Sequence, residues 1–250
     1  MLIASLDTAT LALSCALVEL APGAEPRVVR ARTEHAPAKP GPGQVGGHGH
    51  RLPGILTDLL AEAGLGLPAI EGYAIGIGPG SFTGLRIGLA TWKGLAYAAR
   101  RPLAGASSLA AMALAAARTA PAGALLVPAL DAKKNEVYAG FYRAVAGGVE
   151  AAAPEAALPA AALAERLANE PGAVVFGPGR EAYAAPLERF GRPGVEVSHP
   201  GAVEIAVLAA PRLLGVPFDP QAVFALEPHY VRASEAELKF PHGLGPGAGK

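Results

Sequence analysis

Two acids, one glycine-rich block and a close pair of histidines are the places in this 250-residue chain where residue type and spacing could do chemistry. Asp7 and Asp131 each end a short apolar run and each precede small or polar residues, which places both at the tips of tight turns. Two such carboxylates facing each other across a cleft could hold a hydrated magnesium ion, with Thr8 and Thr10 beside Asp7 at a bound nucleotide. The competing use is local: an Asp side chain accepts hydrogen bonds from the amides of its own turn. The flanking residues favour the local use. Asp7 runs into Thr8-Ala9-Thr10 and Asp131 into Ala132-Lys133-Lys134, so neither tip has the glycine that lets backbone approach a phosphate closely.

The glycine-rich block, Gly78-Pro79-Gly80-Ser81-Phe82-Thr83-Gly84-Leu85-Arg86-Ile87-Gly88, lies between an apolar run and a helical pattern. Ser81 or Thr83 can cap the helix, and the amides at its start could receive an anion. Gly78, Gly80, Ser81, Thr83, Gly84 and Arg86 are therefore an anion-binding or a purely structural loop. A phosphate loop would end in Gly-Lys-Ser/Thr, whereas Gly84 is followed by Leu85 and Arg86. A hydrolase elbow, Gly-x-Ser-x-Gly, fails by one residue, because the centre between Gly80 and Gly84 is Phe82. His48 and His50 stand two apart, and on a helix such residues point away from each other. Zinc-binding helices space their histidines by four, and the fourth residue after His48 is Leu52. No metal site and no catalytic residue is expected.

The elements that must position these residues repeat. Leu2-Ile3-Ala4-Ser5-Leu6-Asp7 returns as Leu126-Val127-Pro128-Ala129-Leu130-Asp131, and each copy is followed by a second strand pattern, at 13–17 and at 137–141. Each half thus reads as buried strand, turn at an Asp, second strand. A third strand is expected over 27–33, a Pro/Gly-rich loop over 36–49, a helix over 50–63, a buried strand over 72–77 and a helix over 82–99. The segment 101–105 reads as a hinge, followed by Ala-rich helices at 109–118 and 161–169, a strand at 174–176 and a Gly/Pro-rich tail from 241 that is expected to be disordered. The expected division is an N-terminal domain 1–104, a C-terminal domain 105–240 and a tail 241–250. Tandem α/β units, each opening on a hairpin with an Asp at its tip, resemble the actin-like superfamily, in which such hairpins face each other across a nucleotide cleft.

Composition removes several function classes. Lys plus Arg equals Asp plus Glu, so no global field draws the chain to nucleic acid or anionic lipid. Its one cysteine, Cys15, excludes an internal disulfide framework and suits a reducing, cytoplasmic setting. The start of the chain has no basic segment before its first acid, and no apolar run approaches the roughly 20 residues of a spanning helix, so neither export nor a membrane is expected. The helix with Leu52, Ile55, Leu56 and Leu59 and the helix with Leu85, Leu89 and Trp92 carry apolar stripes that could meet a second copy or a partner, or could cover their own sheet.

Four blocks together resemble the bacterial TsaB proteins, also called YeaZ. They are Leu6-Asp7-Thr8-Ala9-Thr10, the Gly78–Gly88 block, Asp131-Ala132-Lys133-Lys134-Asn135-Glu136-Val137-Tyr138, and Pro228-His229-Tyr230-Val231-Arg232, in matching order over roughly residues 1–240. The resemblance implies two tandem actin-like domains in a degenerate paralogue of the TsaD catalytic subunit. It further implies a non-catalytic subunit that forms homodimers and pairs with TsaD through the N-terminal domain. With a TsaE-like ATPase, that assembly makes threonylcarbamoyladenosine at position 37 of tRNAs reading codons that begin with A. ATP and metal would enter through the partners and tRNA would be met within the complex. The TsaD-like His-x-x-x-His metal motif is absent. The rival readings are an active ATPase, kinase or peptidase using Asp7, Asp131 and the Gly78 loop, and a homodimeric interaction protein or regulator.

Overall fold

The computed structural model describes residues 1–35, 51–192 and 194–232. Strands β1 (Leu2–Asp7), β2 (Ala12–Glu19) and β3 (Arg27–His35) form an antiparallel meander. After α1 (Leu52–Glu62), β4 (Gly72–Gly76) adds parallel to β1; after α2 (Phe82–Ala99), β5 (Leu103–Ala106) adds parallel to β4. The sheet order is therefore β3-β2-β1-β4-β5. The hinge expected at 101–105 is instead largely this fifth strand. Its four residues are all buried and pair from Tyr73↔Leu103 to Gly76↔Ala106, so pairing overrides the breaker signal of Pro102.

Helix α3 (Ser108–Ala117) leads into the second sheet: β6 (Leu125–Lys133), β7 (Glu136–Val145), β8 (Gly148–Pro159), α4 (Ala160–Arg166) and β9 (Ala173–Phe176). Its order, β8-β7-β6-β9, repeats the first four strands of the first sheet, with β6 antiparallel to β7 and parallel to β9. The sequence echo at 2–7 and 126–131 is thus a repeat of topology. Short helices α5 (Pro178–Ala182) and α6 (Ala184–Leu187) follow, then α7 (Ala202–Ala209) and α8 (Pro220–Ala225).

Periodicity explains the layering. Leu52, Ile55, Leu56, Leu59 and Leu60 recur at helical spacing and sit with Leu89, Trp92 and Ala96 in one core with Leu6, Leu13, Leu17 and Ile75 of the first sheet. Within it the Trp92 indole donates to the Ala4 carbonyl (3.1 Å), so its one polar group is satisfied. The opposite face of that sheet is covered by Ala202, Ile205, Ala206 and Ala209 of α7. Helix α3 lies between α7 and the second sheet, packing Leu109, Met112 and Ala116 on Leu126, Tyr142 and Val174, while α4 and α6 cover the far face.

These contacts bear on where the second unit ends. Helices α7 and α8, placed by sequence in a unit of residues 105–240, pack on the first sheet and on α2. The Ala202 amide donates to Ser14 Oγ of β2 (3.0 Å), and Arg118 of α3 pairs with the buried Glu204 of α7 (2.6 Å). An eight-residue helix that is almost wholly apolar goes to the uncovered sheet face that offers the largest burial.

Candidate functional site

A cleft of about 720 Å³ opens between the two hairpin tips. Thr10, Leu11, Gly80, Ser81 and Phe82 line one wall, Asp131, Lys133, Tyr138 and Pro178 the other, with His35, Ser198 and His199 at one side. Of the four expected cleft residues, Thr10 and Asp131 reach it. Asp7 and Thr8 do not line it: both are fully buried.

Asp7 is consumed by internal hydrogen bonds. Its Oδ1 accepts from the Ala9 amide (2.8 Å) and its Oδ2 from Ser108 Oγ (2.6 Å), and the same Ser108 oxygen accepts from the Gly78 amide (3.2 Å). Burial pushes the Asp7 carboxyl up from 3.8 to about 7, against the lowering effect of the Ser108 and Ala9 hydrogen bonds. Gly76 makes room for it, since a Cβ there would lie 1.9 Å from Asp7 Oδ2. Thr8 Oγ1 donates to the Gly84 carbonyl (2.9 Å).

Asp131 is equally committed, but at the surface of the cleft. Its Oδ1 accepts from the Lys133 amide (2.8 Å) and the Tyr183 hydroxyl (2.9 Å), and its Oδ2 from Lys133 Nζ (2.6 Å). Partial burial raises its pKa, yet the bonds from Lys133 and Tyr183 outweigh that and hold it below the ordinary carboxylate value. The hairpin is closed by Lys133, Lys134 and Asn135, all in the left-handed region, with φ of 64°, 55° and 63°. Both acids thus serve their own turns.

The glycines of the Gly78 block have a structural explanation. A Cβ on Gly80 would fall 2.3 Å from the Ala9 carbonyl oxygen, one on Gly84 2.2 Å from that of Thr8, and one on Gly88 2.4 Å from Thr8 Oγ1. The Ser81 amide donates to the Ala9 carbonyl (2.7 Å), and Ser81 Oγ caps α2 by accepting from the Gly84 amide (3.2 Å). The block is the surface on which the first hairpin tip rests. Ser81 is the cap and Thr83 is exposed. Arg86 projects outward, its guanidinium 3.7 Å from the centre of the Phe82 ring and its Nε donating to the Tyr230 hydroxyl (3.0 Å).

The apolar residues expected at an interface belong to the core instead. Leu52, Ile55, Leu56, Leu59, Leu85, Leu89 and Trp92 are each no more than 6% exposed, because both helices turn these stripes onto their own sheet. What α1 and α2 show to solvent includes Thr57, Asp58, Ala90, Gly94 and Tyr97.

His48 and His50 lie outside the described residues. His35 and His199 stand far apart in sequence, yet their rings meet edge to face at 5.4 Å beside the cleft. Burial, and then His35, hold His199 below the usual histidine value. Among the described residues no group of three or more His, Cys, Asp or Glu is arranged to hold a metal. Burial raises the Cys15 thiol to about 12, which leaves it inert. Among the described residues no helix is long and apolar enough to cross a membrane. Ser108 and Tyr183 were invisible in the sequence, since only the folded chain brings them to Asp7 and Asp131.

The repeated sheets and facing hairpins define an actin-like α/β protein whose two hairpin acids are spent on internal hydrogen bonds. Residues 45–184 match the family described as TsaD, tRNA N6-adenosine threonylcarbamoyltransferase. A TsaB protein of Haemophilus influenzae, named for tRNA threonylcarbamoyladenosine biosynthesis, is 44% identical over 36% of this chain and 38% of its own. Its Escherichia coli namesake is 37% identical over 60% and 58%. The chain thus spans less than two thirds of both curated relatives. A Pseudomonas aeruginosa structure, described as an uncharacterized protein similar to the peptidase YeaZ, superposes with a TM-score of 0.69 at 33% identity, covering 92% of this chain and 99% of that one. The chain belongs to the TsaB (YeaZ) family, within the wider group that the TsaD match defines.

Proposed function

We propose that this chain serves threonylcarbamoyladenosine biosynthesis on tRNA as a non-catalytic partner of a TsaD-type transferase, acting at position 37 of tRNAs that read codons beginning with A. The pathway is the one for which its curated relatives are named. The observation that carries the non-catalytic part is Asp7. A carboxyl that is fully buried, bonded to Ser108 and Ala9 and favoured in its neutral form is not presented to a hydrated cation or a phosphate. Nucleotide and metal would then be supplied through the TsaD-like subunit and a TsaE-like ATPase, with tRNA met in the complex. With the leucines buried, it is the solvent side of α1 and α2 that would meet TsaD or a second copy of this chain.

Reconstitution tests the reading. The chain, a TsaD-like and a TsaE-like subunit, the threonylcarbamoyl-adenylate donor system and tRNA are combined, and the modified nucleoside is measured by mass spectrometry with and without the chain. Product is expected only when the chain is present, and the chain alone is expected to leave ATP intact. Full modification without it would overturn the partner role. ATP turnover by the isolated chain that disappears in Asp131→Ala would restore the enzyme reading.

A further inference from the structure

The block Pro228 to Arg232 plays no part in the proposed function, yet it touches both domains. On the first, the His229 amide donates to the Ile77 carbonyl (2.7 Å), the Tyr230 hydroxyl accepts from Arg86, and the Tyr230 ring packs on Phe82 at 5.6 Å. On the second, His229 Nε2 lies 3.3 Å from Glu155 Oε2, and Arg232 donates to Glu136 (2.7 Å) with its guanidinium 5.9 Å from the Tyr138 ring. Within these five residues, His229, Tyr230 and Arg232 therefore reach both units.

Their main anchor on the second domain is prepared for them. Glu155 of β8 has a side chain only 10% exposed, and its Oε1 receives the hydroxyls of Tyr142 of β7 and Ser107, the N-cap of α3. Its Oε2 is buried and has no hydrogen-bond partner among the described residues, and His229 Nε2, 3.3 Å away, faces it and pairs with it in charge when the imidazole is protonated. A buried carboxylate oxygen without a hydrogen bond is costly unless an opposite charge faces it. Two further anchors line the cleft, Phe82 on one wall and Tyr138 on the other.

We propose that residues 226–232 are a strap that sets the angle between the two domains and so the width of the cleft. The chain otherwise passes between the sheets at 106–108, where Ser107 shares Glu155 with the strap, and again before α7, and the apolar α3–α7 layer packs between the two sheets. Side-chain contacts across the strap hold the cleft walls in register, and their loss lets the domains rock about that layer.

The test measures the cleft directly in the full chain. Spin labels at Leu11→Cys and Glu181→Cys, both exposed and one on each domain, report the distance between domains by pulsed dipolar spectroscopy; Cys15 is fully buried and stays unlabelled. A single narrow distribution is expected with the native strap. His229→Gln and Arg232→Gln, which alter partly exposed side chains and spare the core, should each widen it, and the double variant should move its mean to longer distance. Tyr230→Phe, which keeps the ring on Phe82 and loses the Arg86 bond, gives an independent reading on the first domain and should widen it less. Unchanged distributions in all of these variants would overturn the strap.

Discussion

Replacing Asp7 by Asn should remove a specific pH dependence from the stability of this protein. The acid titrates at 3.8 when exposed and at about 7 when folded, because burial penalises its charged form. The sign follows from proton binding. Between these values the folded state holds a proton that the unfolded state has released, so the contribution of Asp7 is fully present below about pH 4 and declines as pH rises toward 7. At roughly 1.4 kcal/mol per pKa unit the decline amounts to about 4 kcal/mol, and no discount for solvent screening applies to a fully buried group. Asn keeps the shape and has no charge to bury. Urea unfolding of both proteins from pH 4 to 8.5 should therefore give a stability difference, native minus variant, that falls by several kcal/mol across this window and is flat above it. Other ionisable groups act equally in both proteins and cancel. Parallel curves at all pH values would refute the reasoning, since they would mean that Asp7 is charged in the folded state or reached by solvent.

Leu56→Glu should unfold the first domain rather than disable a surface. Leu56 is 2% exposed, so the change removes about 2 kcal/mol of apolar burial and strands a carboxylate at a further cost of several kcal/mol. Circular dichroism melting would show it, and a variant with native stability that fails only to associate would contradict the core placement. Two glycines of α2 should behave oppositely on mutation to Ala. Gly84→Ala forces a methyl against the Thr8 carbonyl oxygen and should cost about 1–3 kcal/mol, whereas Gly94→Ala, with open space at its Cβ, should gain up to about 1 kcal/mol of helix propensity. Thermal unfolding of the pair would decide it; equal shifts would remove the case for the glycine block as a packing surface.

Local physics made much of this architecture legible in the residues themselves. The apolar spacing of Leu52 to Leu60 and of Leu85 to Ala96 specifies amphipathic helices, and α2 runs over the expected 82–99. The echo ending at Asp7 and Asp131 reports a repeated strand order, because both hairpins turn at an Asp that bonds its own backbone. Absent glycines at those tips already pointed away from a phosphate cradle. Weak or ambiguous periodicity hid other elements: β5 is four residues long behind a proline, and β8 is rich in alanine without clean alternation.

What only the tertiary structure decided is direction and distance. An apolar stripe has the same spacing whether it covers its own sheet or a partner, so the burial of Leu56 and Trp92 was settled by the sheet beneath them. Likewise, the character of Asp7 comes from Ser108, a hundred and one residues away, and that of Glu155 from Ser107, Tyr142 and His229 on other elements. Sequence spacing carries information over a few turns of chain, whereas desolvation and hydrogen bonding depend on whatever the fold brings within a few ångströms, and that set is assembled only when the two sheets and their shared helices have packed.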